Sequence, residues 1–189
     1  MKRRRQLTPI YIVMGIVGAL CILTVAFFYF RGQKFKEYSN LKLGFSIQYP
    51  SSWLLEENKE GAAVVFYSPK SNALDLFQEN VNIVVQDLDG SMTLDEYTKT
   101  AVDQLKAVFQ QNADIQESKE IKISGREGYK IVFIGKGDNT QLKYLCAWTI
   151  VGNQAYQITF TAMTPADFDK YISFVNGMFK SFKFLSKSS

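Results

Sequence analysis

The sequence of 189 residues predicts an α+β domain, a mainly antiparallel sheet of six or seven strands with at least two helices on it, preceded by one transmembrane helix. Three observations carry this. A run near the N-terminus is free of charge for 21 residues. Most of the remaining chain alternates apolar and polar residues at period two. Two segments switch to helical spacing behind threonine caps.

The uncharged run extends from Ile10 to Phe30. At a rise of about 1.5 Å per residue it spans about 30 Å, the hydrocarbon thickness of a bilayer. Thr8 and Pro9 supply a cap and a first helical position, and Tyr11 and Tyr29 place amphipathic rings at the two interfaces. Ala26 to Phe30 ends in bulky aromatics where a signal-peptidase site needs small residues, and Leu20 precedes Cys21 where a lipoprotein signal needs a small one. The segment is therefore expected to stay as an anchor, with the bilayer as its partner. Lys2, Arg3, Arg4 and Arg5 outweigh Arg31, Lys34 and Lys36, so residues 1–9 are expected in the cytoplasm and the C-terminal domain outside it.

Residues 31–42 are polar and basic and read as a juxtamembrane linker; residues 43–184 form the domain and 185–189 a polar tail. Phe45, Ile47 and Tyr49 alternate up to Pro50; Ala62 to Tyr67 is an apolar run closed by Ser68-Pro69; Val81, Ile83 and Val85 make a third strand. Ile121 and Ile123 lead through Ser124-Gly125 to Tyr129, Ile131 and Phe133, a hairpin. Leu142 to Ile150 and Tyr156 to Ala162 alternate on either side of Gly152-Asn153, a second hairpin. Both faces of the first of these two strands are apolar, so helices are expected on both faces of the sheet.

Thr93-Leu94-Asp95-Glu96 is a capping box, followed by a stripe of Leu94, Tyr97, Ala101, Leu105 and Val108. Thr164-Pro165 opens a second helix with a stripe of Phe168, Tyr171, Ile172, Val175 and Phe179, its end weakened by Gly177. Phe182 and Phe184 then alternate as a short closing strand.

Charge and composition exclude several functions. The chain has 22 Lys+Arg, 18 Asp+Glu and a formal charge of +4, but its first 36 residues hold seven bases and no acid. Beyond them stand 15 bases against 18 acids, so the domain is negative and would repel nucleic-acid phosphates. Without histidine no Ser-His-Asp, Cys-His or HExxH site exists. Two cysteines, Cys21 and Cys146, complete neither a zinc site nor a disulfide, and Cys146 between aromatics reads as a small apolar filler.

The remaining motifs have structural readings. Asp87-Leu88-Asp89-Gly90 with Asp95 and Glu96 lacks EF-hand spacing and reads as a strand end, a turn and a cap. Gly135-Lys136-Gly137-Asp138-Asn139 leads into a strand, not into the helix that a phosphate loop requires. Asp167 and Asp169, two apart at a helix start, serve the dipole and not acid–base chemistry. Tyr49 and Trp53, flanking Pro50-Ser51-Ser52, are the candidate recognition surface, set against the commoner reading of an aromatic corner packed on its own sheet. No catalytic, cofactor-binding or metal-binding residue is assigned.

Together Gly44-Phe45-Ser46-Ile47-Gln48-Tyr49-Pro50-Ser51-Ser52-Trp53, Asn80 to Val85, Ser124 to Tyr129 and the closing helix with Ser181-Phe182 resemble, in order and spacing, the PsbP-like family over about residues 43–184. The resemblance implies an α/β/α sandwich around an antiparallel sheet and a non-enzymatic accessory or binding role. Plant members are extrinsic photosystem II subunits, and bacterial relatives are often anchored envelope proteins. This chain departs from the plant proteins in its membrane helix and its lack of histidine, so only fold and accessory character carry over. The expectation is an extracytoplasmic, membrane-anchored domain that binds an envelope protein. Its alternatives are a small-molecule or weakly catalytic domain with a carboxylate, tyrosine and lysine cleft, and a scaffold subunit of an envelope complex.

Overall fold

The computed structural model describes residues 34–90, 92–109, 113–136 and 141–186; the expected membrane helix, Ile10 to Phe30, and the basic residues 1–9 lie outside the described residues. Among the described residues no helix is long and apolar enough to cross a membrane. The described residues form ten strands and two helices in the order β1 (Phe35–Asn40), β2 (Phe45–Pro50), β3 (Leu54–Lys59), β4 (Ala62–Tyr67), β5 (Asn80–Asp87), α1 (Leu94–Val108), β6 (Ala113–Ile123), β7 (Arg126–Lys136), β8 (Gln141–Val151), β9 (Gln154–Ala162), α2 (Pro165–Ser181) and β10 (Lys183–Phe184).

Seven strands form the main sheet in the order β3-β4-β5-β9-β8-β7-β6, every neighbour antiparallel, as the alternation predicts. One row of paired residues crosses it: Leu54, Tyr67, Asn80, Thr161, Tyr144, Phe133 and Ile115. This row marks one end of the sheet. The hairpin turns β3–β4, β6–β7 and β8–β9 mark the other. In the β6–β7 turn Ser124 and Gly125 both take positive φ, 50° and 80°, the pair of left-handed residues that matches the twist of the flanking strands.

Two cores lie on opposite faces, set by the period of two. On β8, Leu145 and Ala147 join the first core, while Cys146 and Trp148 join the second. The first core is covered by α2 together with a small sheet, β1-β2-β10, that the alternation did not reveal. Phe45, Ile47, Phe66, Phe160 and Phe182 are at most 1 % exposed within it, each worth about 1.5–3 kcal/mol of burial. The second core is covered by α1, whose Thr98 hydroxyl accepts from the Trp148 indole at 2.8 Å. Layers on both faces agree with the expected sandwich.

Three local expectations change. Residues 35–40, read as linker, form β1: only Tyr38 is buried there, so the strand carries almost no apolar period, and its place comes from pairing with β2 and from Tyr38 donating to Glu57 at 2.6 Å. β3 escaped notice for the same reason, being a mostly exposed edge strand of Glu56, Glu57 and Lys59. Val108, expected to close the apolar stripe of α1, stands in water at 73 % exposure, and Phe109 packs instead on Phe133 and Tyr144. In α2 the buried stripe is Phe168, Tyr171, Phe174, Val175 and Met178, with Ile172 and Phe179 at its margins.

Candidate functional site

Both helices begin as their sequences require. The Thr93 hydroxyl accepts from the Glu96 amide at 3.2 Å, and the Glu96 carboxylate accepts from the Thr93 amide and hydroxyl, each at 2.9 Å, two bonds that hold the Glu96 carboxyl below its usual range. This fixes the first turn of α1 beside the β6–β7 hairpin. Between them lies a cleft of about 610 Å³ lined by Thr93, Leu94, Asp95, Glu120, Ile121, Lys122, Glu127, Gly128 and Tyr129.

The register explains its lining. Lys122 faces Glu127 across the hairpin, Ile121 faces Gly128, and Glu120 faces Tyr129. Gly128 lies on the neighbouring strand so closely that a Cβ there would come within 2.7 Å of the Trp148 carbonyl oxygen. The Thr149 hydroxyl, wholly buried, donates to the Glu127 carbonyl at 2.5 Å. Tyr129 stacks on Trp148 with ring centres 5.5 Å apart, and its hydroxyl pairs with that of Ser118 at 2.7 Å. Three carboxylates and one ammonium thus stand on exposed positions around a floor of backbone and aromatic rings. No hydrogen bond or ion pair joins any two of these four charges among the described residues. The same end of the sheet carries Glu56 and Glu57 of β3, Glu60 of the β3–β4 turn, Asp87 at the end of β5 and Asp89 beyond it, with Lys59 paired to Glu56, an end on balance acidic.

The residues singled out from sequence fall elsewhere. Trp53 is only 4 % exposed, its ring edge-on to Tyr171 at 5.7 Å, and Tyr49 lies half-buried against Phe66 at 4.8 Å. A Pro50 carbonyl bonded to the Trp53 amide at 2.9 Å closes the turn that directs both rings inward. Asp87 accepts from Gln154 at 2.7 Å, and no group of three potential metal ligands occurs among the described residues. Thr164 caps α2, its hydroxyl accepting from the amide of Asp167 in the first turn at 3.1 Å. Gly135 ends β7 against Phe109; residues 137–140 lie outside the described residues, and the strands they join are paired.

Cys146 forms part of the floor of a second cleft, about 320 Å³, beside α1. Burial pushes its thiol up to about 11, only partly opposed by the Thr159 hydroxyl 3.6 Å away, so at neutral pH it is protonated and a poor nucleophile. The larger cleft was invisible to periodicity, because it joins a helix start to a hairpin some thirty residues further on. Gly128 within an otherwise regular strand was its one local sign.

The model of the PsbP family matches residues 33–184. No curated protein sequence matches the chain. Among solved structures, cyanobacterial PsbP (CyanoP) from Synechocystis sp. PCC 6803 is similar with a TM-score of 0.61 at 20 % identity, over 80 % of this chain and 93 % of that one. LpqN of Mycobacterium tuberculosis, described as involved in cell envelope biogenesis, is similar with a TM-score of 0.59 at 9 % identity, over 84 % and 95 %. The Ran-binding protein Mog1p of Saccharomyces cerevisiae is similar with a TM-score of 0.56 at 10 % identity, over 82 % and 97 %. At these identities the likeness is one of fold.

Proposed function

The chain belongs to the PsbP family, and we propose that it is a single-pass membrane protein whose domain, outside the cytoplasm, binds an envelope protein as a non-enzymatic accessory. Residues 10–30 are the anchor in this reading, residues 1–9 stay in the cytoplasm, and the folded domain begins at Phe35, earlier than the polar composition of 31–42 indicates. The uncharged run and its basic flanks support the anchor. The envelope role of LpqN and the Ran binding of Mog1p, on the same fold, are consistent with a domain that works by contact.

One observation carries the binding reading: the acidic cleft presents Asp95, Glu120 and Glu127 on exposed positions, unpaired with one another or with Lys122, over a floor of backbone and stacked rings. Such an arrangement complements a basic segment of a partner protein. Capture of the full chain from solubilised membranes should recover one envelope protein reproducibly, and the Glu120→Lys, Glu127→Lys double variant should lose it. Equal recovery by the variant would remove the cleft from the interface. Protease added to intact cells should digest the domain; digestion only after lysis would place the domain inside.

A second reading has its own observation, since Asp95, Lys122 and Tyr129 meet in the same cleft and could hold a small polar molecule. A metabolite screen by thermal shift separates the two: a ligand whose stabilisation disappears in Lys122→Ala would favour it.

A further inference from the structure

Most of the large apolar side chains that the domain leaves in water are gathered at one end. Leu54 is 63 % exposed, Leu74 87 %, Leu76 98 %, Val108 73 % and Met163 38 %. Leu54 lies in the row that marks that end of the sheet; Leu74 and Leu76 are on the loop from β4 to β5, Met163 follows β9, and Val108 ends α1 beside Phe109, which packs on two members of the row. The opposite, acidic end has one such side chain among the described residues, Leu41 in the turn between β1 and β2, 60 % exposed. The leucines of the loop are held outward. The Asp75 carboxylate accepts from the Ser71 amide at 2.8 Å and from the Phe77 amide at 3.2 Å, and Asn72 accepts from the Leu74 amide at 2.8 Å.

The chain enters the domain at this same end. Phe35 pairs with Pro50, and four residues beyond Pro50 the chain opens β3 at Leu54. Only four residues, Arg31 to Lys34, separate Phe35 from Phe30, the last residue of the uncharged run. Fully extended, these five Cα steps reach about 18 Å, against about 5–8 Å of headgroup on each side of a bilayer, so a domain tethered by them has its entry point held within about 10–13 Å of the lipid surface. Lys34, Lys36, Lys70 and Lys143 lie towards this end, while the carboxylates of Asp75 and Asp167 there are turned onto the chain's own amides and hydroxyls.

We propose that this end of the domain seats on the membrane surface, with Leu74 and Leu76 inserted among the lipid headgroups and the acidic cleft directed away from the bilayer. The inference rests on the anchor reading and fixes an orientation that the anchor alone does not. Partial insertion of each leucine strengthens the seated state by about tenfold. The basic side chains add attraction to anionic lipid.

The test uses the full chain with Cys21→Ser, reconstituted in vesicles of phosphatidylcholine and phosphatidylglycerol, one fluorophore being placed at Ala73→Cys or at Asn153→Cys in the opposite turn. Nitroxide lipids should quench the label at 73 several-fold more than the label at 153. Leu74→Ser with Leu76→Ser should abolish that difference, while the protein still floats with the vesicles and its melting temperature is unchanged. A protein that does not float overturns the anchor reading and this one with it. Flotation with both labels equally unquenched overturns the seat alone. Crosslinking of two copies through position 73 without lipid quenching would assign the surface to a second copy, and also overturns it.

Discussion

Gly128→Ala should destabilise the domain out of proportion to the single methyl group that it adds. The new Cβ would sit 2.7 Å from the Trp148 carbonyl oxygen and 3.1 Å from the Ile123 Cδ1. The isoleucine tip can turn aside, but the carbonyl belongs to β8, paired with β7 at this point through Gly128 and Thr149. To restore ordinary contact of about 3.4 Å, the two strands must part by most of an ångström where they hydrogen-bond. Overpacking of this kind costs about 1–3 kcal/mol. For a domain of this size, each kcal/mol lowers the melting temperature by about 2–4 °C, so a fall of about 2–12 °C is expected. Thermal unfolding of the full chain in detergent, followed by tryptophan emission, measures it, since Trp148 adjoins the site. Gly61→Ala is the contrast: Gly61, unlike Gly128, has positive φ, 84°, and nothing lies within 4 Å of its Cβ position, so any loss there reports backbone strain alone. A melting temperature for Gly128→Ala within 1 °C of the parent would refute the claim that this close approach is rigid.

Other outcomes follow from single groups. With its thiol pushed up to about 11 and wholly buried, Cys146 should resist a thiol reagent in the native protein at pH 8 and react at once in denaturant. Tyr38 is raised to about 12, chiefly by burial and then by its bond to Glu57. The fold favours its neutral form, so the stability it contributes is intact below pH 10 and lost as pH rises towards 12; urea titrations at pH 9, 10 and 11 should show a shallower alkaline decline in Tyr38→Phe. Thr93→Ala removes one half of the reciprocal cap of α1 and should cost about 0.5–2 kcal/mol, read from the urea midpoint at constant slope.

Where a segment's own chemistry decided its structure, the sequence was enough. Val81 and Ile83 fall on one face and are wholly buried, and Thr93 and Glu96 hold each other as their spacing requires. The PsbP resemblance, read from corner, hairpin and closing helix, agrees with the family match over residues 33–184. What escaped were elements whose place is decided by neighbours. β1 and β3 hold few buried side chains and exist through pairing; the acidic cleft exists because α1 begins beside a hairpin that comes later in the chain. The aromatic corner allowed two readings in sequence, a displayed pair or a packed corner, and only the tertiary contact with Tyr171 shows where the Trp53 ring goes.

The two outermost strands of the main sheet have a bearing on how crowded copies behave. β3 lines one margin with Glu56, Glu57 and Lys59, and β6 the other with Glu117, Lys119, Glu120 and Lys122, Glu117 gripping Lys130 at 2.6 Å while the register slips beside it. An unpaired margin ordinarily invites another backbone to continue the ladder. Here an incoming strand would meet a fence of charges and, on β6, an irregular step. Edge-to-edge pairing of neighbouring copies is therefore disfavoured at both margins of the seven-stranded sheet.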